Sequence, residues 1–174
     1  VTEMEAVANL KSEQVSEWKK EHLNDATLIH ENVTLVEHID AMFIKDNSVR
    51  EKSRLIQLLT TLIESYDFGG AVLLDAGGSP GIAVPPEEAV MGEYLRGNVT
   101  KAISNPVISM SDFHTAKVVK YLHLDLLIPM KMPYEGDTVL AGVLVLRIDP
   151  EKELFPMLST WPTPGSTSEC ILFR

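Results

Sequence analysis

The sequence has one cysteine, Cys170, in 174 residues, and it has few basic side chains. One cysteine excludes an intrachain disulfide and a zinc site built from several cysteines. The 15 Lys and Arg stand against 25 Asp and Glu, which gives a formal net charge of -10. Phosphate contacts need clustered basic side chains, so no nucleic-acid partner is expected. Because no apolar run reaches about 18 residues, no segment is expected to cross a membrane.

What the sequence does have is apolar residues, 45% of the total, which is enough for the core of one domain with a helical extension. Apolar residues recur at steps of three and four over residues 15–43, with Glu and Lys between them. This pattern predicts one long amphipathic helix. Ser48 and Glu51 have the spacing of a capping box and predict a second helix to Tyr66. Residues 1–67 are therefore the predicted helical region.

Residues 68–174 have the pattern of a sheet with short helices. The apolar run 71–75 predicts a strand, residues 76–81 predict the turn after it, and Pro85-Pro86 marks the start of a single helix that ends before Pro106. Further elements follow from apolar runs between turn residues: strands at 107–110, 118–130 and 139–148, a hairpin turn at 133–137, a short helix at 150–158 and a last apolar run at 171–173. The predicted fold is α+β, with helix on one face of an antiparallel sheet and the other face free for a pocket.

Three stretches carry a resemblance to a known family. They are VSEWKKE at 15–21 with NDA at 24–26, AVLLD at 71–75 followed by Gly77-Gly78, and GVLVLRIDP at 142–150 running into LFPMLSTWP at 154–162, with STSE at 166–169. Through them the chain resembles, over nearly its whole length, the double-Cache sensor domains of prokaryotic histidine kinases, diguanylate cyclases and chemoreceptors. The resemblance implies a PAS-like antiparallel sheet of about five strands, formed by residues 68–174, with the long N-terminal helix packed on it.

The resemblance also implies a function. A small molecule is expected to bind between the sheet and residues 85–111, and its binding is expected to move the long helix and a membrane helix beyond it. The chain would then be the extracytoplasmic, membrane-distal half of a receptor's sensor region. Membrane segments, a second module and a kinase or cyclase output are expected outside this sequence. No catalytic residue and no cofactor are implied.

Strand alternation places Tyr121, His123 and Asp125 on one face of the predicted strand 118–130. These side chains either line the pocket or cover a solvated sheet face, because antiparallel sheets commonly expose one polar face. His123 is also a potential metal ligand. No other His or Cys lies near it at ligand spacing, and no metal site is therefore predicted.

Arg147 occupies the place where amino-acid-binding members of the family tend to carry a carboxylate. A guanidinium facing the pocket suits a carboxylate ligand, whereas the alternative is a surface cation at a strand end. Tyr94, Ser109 and Ser111 lie on the helix and strand that usually wall the pocket, and their hydroxyls are candidate ligand contacts. Tyr94 also has the helical spacing of a core residue. The Arg-x-Trp-Tyr signature of amino-acid readers has no counterpart after Arg96.

Enzyme motifs are absent from the sequence. The glycines at 77–81 lack a P-loop lysine, residues 165–168 lack the second glycine of a nucleophile elbow, and Glu87-Glu88 sits at a predicted helix start, which favours carboxylates without catalysis. Two alternatives to sensing stay open. One is a structural module that forms a homodimer through the N-terminal helix and keeps a vestigial pocket, and the other is a PAS-like domain of the cytoplasm.

Overall fold

The computed structural model describes residues 3–43, 48–116 and 121–160, which form a five-stranded sheet with helices on both faces. The helices are α1 (Glu3–His30), α2 (Val33–Phe43), α3 (Ser48–Tyr66), a short 3-10 helix (Pro86–Ala89), α4 (Glu93–Ser104) and α5 (Leu154–Ser159). The strands are β1 (Gly70–Asp75), β2 (Pro80–Val84), β3 (Ser109–Met110), β4 (Leu124–Tyr134) and β5 (Asp137–Ile148). Among the helices of the described ranges, none combines the length and apolar character that crossing a bilayer requires.

The prediction of one helix over residues 15–43 is wrong, because the chain makes two helices there. α1 starts at Glu3 and ends at His30, and α2 begins at Val33. Asn32 separates them: its side-chain oxygen accepts the backbone N–H of Leu35 at 3.0 Å. That hydrogen bond satisfies an N–H of the first turn of α2, which is how an asparagine starts a new helix.

The predicted helix to Tyr66 is confirmed as α3. Glu51, expected in a capping box, instead pairs with side chains. One carboxylate oxygen lies 2.6 Å from Nδ1 of His38 on α2, and the other accepts a hydrogen bond from Arg54 at 3.1 Å. The side chain of Ser48 lies outside the described residues. Glu51 thus joins α2 to α3.

The sheet has the order β2-β1-β5-β4-β3, and every neighbouring pair is antiparallel. β5 is central and pairs with β1 and β4. The predicted hairpin is confirmed between β4 and β5, where Glu135 and Gly136 have φ of 49° and 87°. Two positive φ angles in succession make a type I′ turn, whose twist matches that of the flanking strands.

Several predicted boundaries are corrected by the structure. Pro80 and Gly81 belong to β2 rather than to a turn. The single helix after Pro85 is two: the 3-10 helix ends at Ala89, and Gly92, in extended conformation, precedes α4. β3 is reduced to two residues, β4 begins at Leu124, β5 starts two residues earlier than predicted and α5 starts four residues later. Trp161, the apolar run 171–173 and residues 118–120 of the predicted strand lie outside the described residues.

Both faces of the sheet are covered, which corrects the expectation of one free face. On one side, α1, α2 and α3 pack on Leu124, Leu126 and Ile128 of β4 together with Leu144, Leu146 and Ile148 of β5. The helical region therefore shares one core with the sheet. On the other side, α4 packs on Leu127, Val143 and Val145. Asp125 and Arg147 have the same alternation as the residues facing α4, so their side chains lie on that face.

α1 is fastened to the segment that follows β5. The buried ammonium of Lys11 donates hydrogen bonds to the carbonyl oxygens of Met157 at 2.6 Å and Thr160 at 2.5 Å, at the C-terminal end of α5. The indole N–H of Trp18 donates to the carboxylate of Glu153 at 3.1 Å. A cation is favoured at a helix C-terminus, and the carbonyls there have no partner within the helix.

Replacing Lys11 with Met keeps much of the apolar stem but removes the ammonium. We expect the free energy of unfolding to fall by about 1–3 kcal/mol, because charge-assisted hydrogen bonds are lost and the carbonyls of α5 lose their donor. Lys19→Met, on the exposed side of the same helix, is the matched control and should change stability by less than about 0.5 kcal/mol. Urea denaturation of both variants measures the difference, and equal values would contradict the role of Lys11.

Gly142 lies in β5 between Asp75 of β1 and Met130 of β4. A Cβ atom there would overlap the carbonyl oxygen of Leu74, so Gly142→Ala is expected to destabilise the sheet by about 1–3 kcal/mol or more. Gly97→Ala is the matched control, because nothing lies within 4 Å of that Cβ position on the exposed side of α4. Alanine should stabilise that helix by about 0.5–1 kcal/mol. Thermal unfolding of the two variants should shift in opposite directions.

Candidate functional site

Arg147 is the centre of a buried charged cluster near the end of β5. Its Nε donates to Oδ1 of Asp125 at 3.1 Å, and its Nη1 donates to the carboxylate of Glu88. Asp125 is its direct cross-strand partner on β4, and Glu88 comes from the 3-10 helix. All three residues are at most 5% exposed. Burial lowers the pKa of Arg147 to about 10, so the guanidinium stays protonated at neutral pH.

These contacts decide between the two interpretations of Arg147. It is 2% exposed, and the surface-cation interpretation is therefore wrong. Yet its charge is already matched by two buried carboxylates. Arg147 therefore has a structural role in the site, because leaving a buried charge unpaired would cost several kcal/mol.

Glu88 is the member of the cluster that the sequence did not predict, because its position at a helix start already explained a carboxylate there. Glu87 beside it is exposed, whereas Glu88 reaches into the cluster over Gly70 of β1. A Cβ atom on Gly70 would lie 3.0 Å from Cγ of Glu88. The only local sign of this contact in the sequence is Gly70, a glycine at the first position of a buried strand.

His114 lies against Asp125 and His123 at the edge of the sheet. The backbones of His114 and His123 exchange two hydrogen bonds, of 3.0 and 2.9 Å, and their ring centroids are 4.2 Å apart. Nε2 of His114 is 3.0 Å from Oδ2 of Asp125. The sequence alone did not pair His123 with a second histidine, because His114 lies nine positions away. Antiparallel pairing of β3 with β4 continues to this point and brings them together.

The two imidazoles have opposite pKa shifts. Burial works against protonation of His114, but the hydrogen bond to Asp125, the carbonyl of Asp112 and the charge of Asp125 together raise its pKa above the ordinary value. For His123, burial is the largest influence and lowers the pKa. Because its pKa lies below that of a free imidazole, His123 is neutral at neutral pH.

Ser111 and Tyr94 position this cluster. The hydroxyl of Ser111 accepts the backbone N–H of Asp125 at 2.8 Å, and the N–H of Ser111 donates to the carbonyl of Asp125 at 2.8 Å. The hydroxyl of Tyr94 accepts the N–H of Asp112 at 3.1 Å, and its ring lies 4.5 Å from that of His114. Tyr94 is 43% exposed and is not a core residue.

The remaining predicted residues lie at the margin. Tyr121 packs its ring 5.5 Å from that of His123, and burial, followed by the charges of Asp149 and Asp125, raises the pKa of its hydroxyl. Ser109 is exposed on β3, and its backbone pairs with Leu127 of β4. The structure thus brings together Tyr94, Ser111, Tyr121, His123, Asp125 and Arg147, adds Glu88 and His114, and leaves Ser109 aside.

A cavity of about 480 Å³ adjoins the cluster. Residues 90–96 line it on the α4 side, residues 114–116 line it on the opposite side, and Arg147 forms part of its wall. Its volume is within the range of sites that hold small molecules. Arg96, one of the charged side chains of the wall, is exposed on α4. Its Nε donates a hydrogen bond to the carbonyl of Met91 at 3.3 Å.

Comparison with known proteins gives similarity of structure only. No sequence-family model and no curated protein matches the chain. The structure is similar to the sensor domain of the V. cholerae histidine kinase DctB, with a TM-score of 0.67 and 17% identity, over 85% of this chain and 55% of that one. It is also similar to the ligand-binding domain of the Campylobacter jejuni chemoreceptor Tlp3 in complex with 4-methylisoleucine, with a TM-score of 0.64 and 12% identity, over 92% of this chain and 61% of that one.

The chain thus spans little more than half the length of these two solved domains. Both similarities are below 25% identity and concern the fold. The α+β prediction of a long N-terminal helix on a five-stranded antiparallel sheet is confirmed. The protein has the fold of the sensor domains of histidine kinases and chemoreceptors, as its resemblance to the double-Cache domains implied.

Proposed function

We propose that this chain is a non-catalytic ligand-sensing domain that binds a small polar metabolite in the cavity beside Arg147. The observation that carries the proposal is the position of the cavity: its wall includes Arg147, the next-to-last residue of β5, and the chain runs from there into the segment held by α1. A ligand that changes the position of this strand end acts on α1 through the backbone of residues 148–160 and the hydrogen bonds of Lys11. The similar Tlp3 domain holds 4-methylisoleucine, which supports a small-molecule partner.

We further propose that the metabolite carries a carboxylate and that Arg96 binds it. Arg147 has two carboxylate partners of its own, whereas Arg96 projects from the exposed side of α4 at the cavity wall. A guanidinium binds a carboxylate through two parallel hydrogen bonds. The ring of Tyr94, two residues earlier, provides an adjacent wall.

The signal would leave the cavity through β5, α5 and α1. From Arg147 the chain passes through Ile148 and the turn at 149–153 into α5, whose last carbonyls bind Lys11. Each link is a backbone connection or a hydrogen bond of the buried Lys11 side chain. A ligand shifts such a system only to the extent that it binds one state more tightly than the other.

We propose an extracytoplasmic location, with the membrane reached through segments outside this sequence. The fold that this chain shares with receptor sensor domains supports this location. A receptor of this kind would use α1 as its connection to the membrane.

The alternative, a homodimer formed through α1, has less support in the structure. Leu10 and Leu28 are exposed and lie five helical turns apart on one face, as an apolar seam would require. Glu17 and Glu21, also exposed, lie between them near the same face. Two parallel copies would bring these like charges together, which favours the sensing role over a dimerisation module.

A thermal-shift screen against organic acids, amino acids, amines and sugars tests the sensing proposal. A carboxylate ligand present at about one hundred times its Kd should stabilise the fold by about 2.7 kcal/mol and raise Tm by about 5–10 °C. Arg96→Met should remove the shift, whereas Lys101→Met, an exposed cation on the same helix outside the cavity wall, should keep it. A screen without any stabilising compound would favour the dimerisation module.

Arg147→Met distinguishes the two arginines. It leaves Asp125 and Glu88 buried without their cation, and we expect a loss of about 3–5 kcal/mol in the free energy of unfolding. Arg96→Met should cost less than about 0.5 kcal/mol, because Arg96 is on the exposed side of α4. Urea denaturation compares the variants without ligand, and similar stabilities would contradict the structural role of Arg147.

A further inference from the structure

Three hydrogen-bond acceptors converge beside the cavity, on His114, His123 and Asp125. One potential ligand atom from each residue lies within 4.8 Å of the other two, and within residues 3–43, 48–116 and 121–160 this is the one such group of three. His123 and Asp125 are fully buried. Nε2 of His123 is buried without a hydrogen bond, and Oδ2 of Asp125 is buried with Nε2 of His114 at 3.0 Å as its polar neighbour.

The backbone fixes the tautomer of both rings. Nδ1 of His114 lies 3.0 Å from the carbonyl oxygen of Asp112, and Nδ1 of His123 lies 2.9 Å from that of Tyr121. A carbonyl oxygen only accepts, so each Nδ1 carries a proton and donates it. In the neutral rings each Nε2 then has a lone pair and no hydrogen.

This assignment leaves the centre of the group short of positive charge. Nε2 of His114 faces Oδ2 of Asp125 at 3.0 Å, and two lone pairs at that distance need a cation between them. A proton on His114 would serve that pair but would leave Nε2 of His123 unsatisfied. A buried polar atom without a partner is costly and calls for an explanation.

We propose that His114, His123 and Asp125 bind a divalent first-row transition metal, with Zn²⁺ as the best match. Two neutral imidazoles and one carboxylate are a common ligand set for zinc. Bonds of about 2.0–2.1 Å to a tetrahedral ion place the ligand atoms about 3.3 Å apart. The 3.0 Å separation of His114 and Asp125 is close to this value, and small side-chain rotations bring the remaining separations, of at most 4.8 Å, into range.

The surroundings match what metal sites require around their ligands. Both histidines donate their second N–H to a backbone carbonyl, which fixes the ring and increases the basicity of Nε2. Oδ1 of Asp125 is held by Arg147, so Oδ2 is presented to the ion. Arg147, Asp125 and Glu88 together carry one negative charge, which a divalent cation offsets.

The fourth coordination position would face the cavity, because His114 forms part of its wall. Water or an oxygen of a bound metabolite can occupy that position. The metal site does not depend on the sensing role: the ion can bind whether or not a metabolite enters, and Arg96 is not one of its ligands.

Titration of the full 174-residue chain with Co²⁺ and Zn²⁺ tests the site. We expect one equivalent of Co²⁺ to give the visible absorption of a four-coordinate ion, and Zn²⁺ to displace it. His114→Gln, at a half-buried position, should weaken binding by about tenfold or more. His123→Gln and Asp125→Asn should do the same, with circular dichroism reporting whether each variant folds.

His30→Gln is the matched control. His30 also lies partly buried with Nδ1 against a backbone carbonyl, that of Pro129 at 2.7 Å, but it is outside the group. Its affinity should equal that of the wild type. No binding by the wild type, unchanged affinity in a folded His114→Gln, or an equal loss in His30→Gln would overturn the proposal. Each of these outcomes leaves the carboxylate screen with Arg96→Met as a separate test of sensing.

Discussion

The arrangement of the site depends on the compensation of one buried positive charge. Arg147 lies at the end of the central strand, where solvent cannot stabilise its guanidinium. Asp125 on the neighbouring strand and Glu88 from the 3-10 helix balance it. Because a cation and two carboxylates must stay in contact, three separate segments are held in one position. Oδ2 of Asp125, directed away from Arg147, is the part of this cluster left for another group.

The sheet divides structural and functional roles between its faces. The face toward α1, α2 and α3 is apolar along β4 and β5, so it forms the larger core. The face toward α4 is apolar only over the middle of these strands and becomes charged at Asp125 and Arg147. α4 packs on the apolar part. Its contact with the sheet ends where the charged residues begin, and the cavity lies there.

Local sequence signals predicted the elements that depend on local interactions. The period of two gave the correct face for Asp125, the residues at 133–137 gave the hairpin, and the capping residues gave the position of α3, although Glu51 has other partners. The break between α1 and α2 was missed, because Asn32 within an apolar period is easily assigned to the helix interior.

The long-range parts of the site could not be predicted in this way. Glu88 meets Arg147 across 59 positions of sequence, and a carboxylate at a helix start already has a sufficient local explanation. His114 meets His123 only when the pairing of β3 and β4 is known. The same alternation that predicts which face a side chain occupies says nothing about which distant residue lies opposite.

The interruption at Asn32 has a mechanical consequence. α1 is one continuous helix whose C-terminal end contacts β4, where Nδ1 of His30 lies 2.7 Å from the carbonyl oxygen of Pro129. With a rise of about 1.5 Å per residue, Lys11 lies about 28 Å and Glu3 about 40 Å from that anchor. If α1 turns about this end as a rigid body, a displacement that α5 applies at Lys11 becomes about 1.4 times larger at Glu3. Trp18, Ala26 and Ile29 pack α1 on the same core as α2 and α3, and the magnification depends only on the length of α1 beyond its anchored end.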